Sequence, residues 1–197
     1  MCCPGHQLIA DGWSVLPLCW TDEAGDCACR RQHGPKSAGK APLTLHGVKD
    51  ATTDVAQVDI WSTRWPHANW GIACTGVTVV DIDDTDLAAL LKEDEELKQH
   101  HCMVSTPRRN GLHIYLKEDD PVQASRVLFS QDGRRLGEVQ RAGRYVVGPG
   151  SRIGSGHYRP ITNNASVTVE DAEDWLTEVL DRFGIALRRA PMQSVLG

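Results

Sequence analysis

The chain has 197 residues, 41% apolar and 24% charged, with a net charge of −5. Those values suit a globular protein of one domain or two tightly joined modules. No apolar run approaches the roughly 18 residues that a membrane span needs, so none is expected. The N-terminal "MCCPGHQLIADGW" lacks the basic start and apolar stretch of a signal peptide, so a cytoplasmic protein is expected.

Residues 2–11 predict a short helix and "WSVLPL" (13–18) a strand. Residues 20–42 are rich in Gly, Pro, Cys and charge, and so long an irregular segment calls for a function or a clip. Seven cysteines in a reducing compartment argue for metal ligation or burial, not disulfides. Cys19, Cys27, Cys29 and His33 lie within 15 residues, and three thiolates with one imidazole make a closed tetrahedral zinc set. Reduced cysteines without metal are the plainer alternative. Cys2, Cys3, Cys74 and Cys102 are expected to hold no metal, the last two as core residues.

Thr53 or Asp54 caps a helix that Pro66 ends, with Val55, Val58, Ile60 and Trp61 on its apolar side. "NWGIAC" and "VTVVDID" read as strands joined in a hairpin at Thr75–Gly76. Residues 86–98 predict an amphipathic helix with Leu87, Leu90, Leu91 and Leu97 on one side. "CMVST" and "LHIYLK" flank the turn "PRRNG"; "RRLGEVQ" and "RYVVGPG" pair around "RAG"; "HYRPI" is a last short strand. "VEDAEDWLTEVLDRFGI" predicts a helix presenting Trp175, Leu176, Val179, Leu180 and Phe183. Residues 188–197 read as a linker. The expected fold is α+β, a largely antiparallel sheet flanked by helices.

The stretch "TGVTVVDIDD" (75–84) carries an apolar run into three carboxylates. Strand side chains alternate, so Asp81 and Asp83 share a face, ~6–7 Å apart. Such a pair can hold divalent ions, and hard oxygen donors suit Mg²⁺ or Mn²⁺. Asp84 falls on the other face and with Thr85 can cap the next helix. The bland alternative is that all three acids cap and solvate that helix start. "VVDIDDT" also fits the haloacid-dehalogenase phosphatase pattern, but no later Gly-Asp-x-x-Asp follows.

Charge is unevenly spread: −6 over residues 81–98, +5 over 104–160 and −5 over 161–184. A basic face can bind polyanions although the whole chain is acidic. Within it, the turn of "STPRRNGLHIYL" (105–116) offers Arg108, Arg109 and backbone amides to phosphate oxygens. His113 emerges beside it. Glu138, on a later strand, could complete a three-carboxylate site. Taken singly, these residues fit an exposed hairpin tip, a satisfied strand histidine and a solvated acid.

Together and in this order, the pieces resemble the primase–polymerase branch of the archaeo-eukaryotic primase superfamily, from about Trp13 to Ile161. Asp81-Ile82-Asp83 matches its first motif, Gly111-Leu112-His113 its second, and Glu138 its third, followed by Arg141, Gly143, Tyr145–Val147 and Pro149. "GKAP" (39–42) and "NWGIACTG" (69–76) resemble its flanking patterns. Glu replaces the usual Asp in the third motif, which moves the carboxylate by ~1.5 Å.

The resemblance implies a catalytic domain over residues 1–187, with an N-terminal α/β module and an RRM-like sheet module. The zinc loop would lie within 19–42 and the acidic, nucleotide-binding site within 75–151. It implies a DNA primase/polymerase of phage or plasmid replication, using NTPs or dNTPs on single-stranded or primed DNA. A helicase domain often lies farther along in such proteins. Asp81, Asp83 and Glu138 would hold two Mg²⁺ or Mn²⁺ ions; His113, Arg108, Arg109, Gly111, Arg141 and Lys40 would bind the nucleotide. A non-catalytic zinc-stabilised DNA-binding module is the rival, but it would not need the three acids together.

Overall fold

The computed structural model describes residues 4–29, 33–118, 124–164 and 166–188. In chain order the elements are α1 (Pro4–Ala10), β1 (Val15–Leu18), α2 (Val55–Arg64), β2 (Asn69–Ala73), β3 (Thr78–Ile82), α3 (Thr85–Lys92) and α4 (Glu95–His100). There follow β4 (Cys102–Ser105), β5 (Leu112–Glu118), β6 (Arg126–Ser130), β7 (Arg135–Gln140), β8 (Tyr145–Val147), β9 (Arg152–Ile153) and β10 (Gly156–His157). The last are β11 (Arg159–Asn163), β12 (Thr168–Val169), α5 (Ala172–Asp181) and β13 (Leu187–Arg188).

The larger sheet runs β11-β4-β5-β3-β7-β6-β13, with β12 added parallel to β5. The smaller sheet is β1-β2-β8, and β9 and β10 form a separate hairpin. The α+β class and the mostly antiparallel sheets expected from the sequence are what the structure shows. No helix among the described residues is long and apolar enough to cross a membrane.

The alternation of β3 divides the core in two. Val80 and Ile82 face one cluster with Leu112, Ile114 and Val139, covered by Leu87 and Leu91 of α3 and Leu176 and Leu180 of α5. Val79 faces the other, with Tyr115 and Val104, covered by the smaller sheet through Val15, Leu16 and Ile72. Asp81 follows Val79 on this second face. The smaller sheet therefore covers β3 at Val79, and the same face becomes acidic and partly open at Asp81.

Capping residues fall where the sequence places them. Asp54 accepts from Ala56 N, Asp84 from Leu87 N, and Asp171 from Glu173 N and Asp174 N. Three pairing or periodicity expectations are corrected. The strands on either side of Thr75–Gly76 are not a hairpin: β2 lies between β1 and β8, while β3 lies between β5 and β7. Likewise β7 and β8 do not pair around Gly143, because each already has its neighbours in a different sheet. The helix predicted over 86–98 is two helices, since Asp94 caps a second start by accepting from Leu97 N.

Leu90 is exposed, unlike Leu87, Leu91 and Leu97, and Val55 and Ile60 of α2 are exposed as well. Strands β6, β9, β12 and β13 have no counterpart in the sequence reading. Arg188 belongs to β13, paired with Phe129, and not to a linker; residues 189–197 lie outside the described residues, as do Cys2 and Cys3. Cys74 and Cys102 are buried in the core, as expected.

Candidate active site and zinc loop

Three adjacent strands set one row of side chains. Asp81 of β3 is in register with His113 of β5 on one side and Glu138 of β7 on the other. His113 Nε2 lies 3.4 Å from Asp81 Oδ1. Asp83 follows two residues on, its N–H and that of Asp84 both donating to the Leu136 carbonyl. Gly137 makes this packing possible: a Cβ there would lie 1.9 Å from the Asp81 carbonyl oxygen. Gly111 serves the other side, where a Cβ would fall 2.6 Å from the Ile82 carbonyl oxygen. Gly111 thus permits close backbone approach, a role of glycine in general, and the need for Gly137 gave no signal in the sequence.

Arg135 Nη2 sits 3.5 Å from Asp83 Oδ2 and 2.5 Å from Glu138 Oε1, offsetting two of the three acids. Gln140 Nε2 donates to the other Glu138 oxygen at 2.6 Å. Burial alone would raise the Asp81 pKa, but His113, Lys40 and Arg135 overcome it and hold the carboxyl below its ordinary value. Asp84 is turned away, capping α3 and pairing with Arg134 at 2.8 Å.

The row opens into a cleft of about 520 Å³ lined by Asp81, His113, Glu138, Gln140 and, facing them, Lys40 and Tyr145. Burial lowers the Lys40 pKa and nearby Arg108 lowers it further, while Asp81 and Asp83 act in the opposite direction. Tyr145 donates to the Lys40 carbonyl at 3.0 Å and fixes that segment.

The turn 106–111 is held by α3: Thr85 Oγ1 donates to the Arg109 carbonyl, and Lys92 Nζ to Asn110 O and Oδ1. Arg109 and Asn110 adopt positive φ (53° and 50°), an uncommon state for non-glycine residues. Arg108 lines an adjoining cavity with Lys40; Arg109 lines neither.

Arg141 is not in this cleft. Its side chain is 1% exposed and pairs with Glu118 at 3.0 Å, Glu173 at 3.4 Å and Asp171 at 3.7 Å. Thr78 also donates to Glu118. The expectation that Arg141 faces the nucleotide is therefore corrected: it ties β5 to α5 behind the site. Tyr158, Gln140 and Arg135 are site neighbours that sequence reasoning missed. Only Arg135 left a trace, as an i,i+3 partner of Glu138.

The Cys/His set gathers as the spacing predicts. Donor atoms of Cys19, Cys27, Cys29 and His33 all lie within 4.8 Å of one another, the one such group of three or more among the described residues. His33 Nε2 is 2.8 Å from Cys27 Sγ and 3.3 Å from Cys29 Sγ. Burial and the contact with Cys27 push Cys19 up to about 12. Burial opposes ionisation of Cys27, but hydrogen bonds from Cys29, Cys19 and the Gly39 backbone bring it to about 7. Three thiolates and one imidazole fit zinc, and four protein ligands leave no open position for a reacting group. Cys27→Ser with Cys29→Ser is expected to lose about one zinc per chain and to melt at a lower temperature. Elemental analysis with a melting curve checks both; zinc-free protein that melts as cooperatively as the native chain would refute it.

Residues 5–178 match the family model described as bifunctional DNA primase/polymerase, N-terminal. The chain belongs to this family. The match covers both sheets except β13, the Cys/His loop and the acidic row, and it implies DNA and nucleotide substrates for this primase/polymerase domain. A search of curated proteins finds no match.

Proposed function

We propose that the acidic cleft performs template-directed nucleotidyl transfer, extending or initiating a strand in phage or plasmid replication. The observation that carries this is the row His113–Asp81–Glu138 across β5, β3 and β7, faced by Lys40. The primer 3′-hydroxyl oxygen bonds to the α-phosphorus of an incoming NTP or dNTP. The bond from that phosphorus to the β-bridging oxygen breaks, pyrophosphate leaves, and the hydroxyl proton passes to solvent.

Asp81, Asp83 and Glu138 would hold Mg²⁺ or Mn²⁺. The fit rests on their chemistry: hard oxygen donors, one carboxyl kept ionised, with Asp81 and Glu138 lining the cleft and Asp83 just past the end of β3, linked to Glu138 through Arg135. Such ions stabilise the entering and leaving oxygens of an in-line displacement. Arg135 meanwhile occupies Asp83 and Glu138 with its own positive charge.

His113 is buried against Tyr115 and Tyr158, and its Nδ1 has no partner. Its role is to donate to a phosphate oxygen, with Arg108 and Lys40 adding charge. His113→Ala is expected to weaken nucleotide binding roughly tenfold, the size of one charge-assisted contact, with template binding unchanged. Titrations with labelled nucleotide and with single-stranded DNA separate the two; an unchanged nucleotide affinity would misplace the pocket. The reading as a whole is tested with primed template, Mg²⁺ or Mn²⁺ and labelled nucleotides on a gel. DNA binding without extension under all these conditions would favour a non-catalytic zinc-stabilised module.

A further inference from the structure

Beside the acidic cleft lies a second cavity of about 540 Å³, lined by Lys36, Lys40, Arg108, Ser155 and Tyr158 among others, and by no acid. Lys40 and Tyr158 line both cavities, so the two adjoin. Elsewhere in the fold Arg134, Arg135 and Arg141 each rest on a carboxylate. Among the described residues, no such ion pair involves Lys36, Lys40 or Arg108. Three cations gathered in a nucleotide-sized cavity, of which only Lys40 also feels the carboxylates of the acidic row, suit an anion of several charges.

The walls of this cavity are locked together. Gly154 N donates to Thr21 Oγ1 at 2.7 Å, and Asn69 Nδ2 donates to both Gly39 O (2.9 Å) and Arg152 O (2.7 Å). A Cβ on Gly39 would lie 2.3 Å from Ile153 Cδ1, and one on Gly156 2.4 Å from Pro107 Cβ. The zinc loop, the β9–β10 hairpin and the Arg108 turn thus form one surface.

That surface is continuous with the Cys/His set. Lys36 follows His33 by three residues; Cys19 Sγ lies 3.4 Å from the Ser37 carbonyl oxygen; the Gly39 backbone hydrogen-bonds Cys27. The segment from Lys36 to Lys40 is therefore tied to the zinc donors at both of its ends.

We infer that this second cavity seats the polyphosphate tail of the nucleotide, that Lys36 grips its far end, and that the Cys/His set positions Lys36, so zinc occupancy and triphosphate binding are coupled. The inference rests on the nucleotidyl-transfer reading above, which puts the α-phosphate at the acidic row and sends the tail past Lys40. Coupling of this kind is reciprocal: whatever orders the loop for one ligand favours the other.

The test titrates the zinc-loaded full chain with a nucleoside triphosphate, the matching monophosphate and inorganic triphosphate. Lys36 is exposed, so Lys36→Ala is expected to fold. It should weaken both triphosphates roughly tenfold, the scale of one charge-assisted contact, and leave the monophosphate unchanged. Lys98→Ala, on the far helix α4, should change none of them. Zinc-depleted chain that still binds monophosphate should lose its preference for triphosphate; a preference that survives depletion would overturn the coupling. Equal effects of Lys36→Ala on mono- and triphosphate, or no effect, would overturn the tail assignment, even in a chain that extends primers. A wild-type chain that prefers triphosphate yet never extends would overturn the polymerase reading alone.

Discussion

Asp81→Asn is expected to reduce primer extension by at least ~10²–10³-fold, the loss typical of removing one preorganised charged or dipolar group from a transition state. The substitution keeps the shape of the side chain and removes its charge. Asp81 stands at the centre of the row, in register with both His113 and Glu138, and its carboxyl is held below its ordinary value. The fold should survive, because the amide can still meet His113 and because Val79 and Ile82 keep β3 seated in its two core clusters. Circular dichroism and a melting curve report the fold; gel extension reports the chemistry. A folded Asp81→Asn chain that extends at the native rate would remove Asp81 from the reaction.

Arg141→Ala is expected to destabilise the chain by about 3–5 kcal/mol, as when one partner of a buried pair is deleted. For a chain of this size that lowers the melting temperature by roughly 6–20 °C. Arg141 and Glu118 are almost fully buried, 1% and 2% exposed, so the remaining carboxylate would have no water to turn to. Nucleotide affinity of the folded fraction should be unchanged, which separates this structural part from a binding one. A variant that melts normally but binds nucleotide weakly would reverse the assignment.

The same pair predicts acid sensitivity. Burial would raise the Glu118 pKa, but Arg141, Thr78 and the Ala172 backbone overcome it and leave the value below that of an ordinary glutamate. A depressed folded pKa means that the unfolded chain binds its proton first. The stabilisation is therefore complete above the ordinary carboxylate range and is lost as pH falls through the folded value. In Arg141→Ala this part of the acid dependence should shrink, as a pH series of melting curves would show.

Much of the site was legible because its signals are local. Asp84 caps α3 within a few residues, Arg108 to Gly111 form a turn between two strands, and Asp81 sits on the face of β3 opposite Val80 and Ile82 by alternation alone. Sheet partners were not legible. Gly76 and Gly143 both have positive φ and both look like hairpin turns in sequence. Yet each joins strands of different sheets, because pairing is decided by which distant edges are free. Arg141 failed for the same reason: beside a glycine turn it resembles an anion binder, but its partner Glu118 is 23 residues away. The closeness that makes Gly137 necessary is likewise set by β3, more than fifty positions earlier in the chain.

The division of β3 between two cores bears on how this segment tolerates insertions and deletions. Removing one residue between Gly76 and Val80 would exchange the two faces of everything after it. Val80 and Ile82 would turn toward the cleft, and Asp81 and Asp83 would turn into the apolar layer beneath α3 and α5. One deletion would thus empty the site of its acids and bury charge without a partner, two faults that no compensating point substitution repairs. Changes of length are accordingly expected to be tolerated only where no strand reads both ways, such as the exposed turn around Gly133.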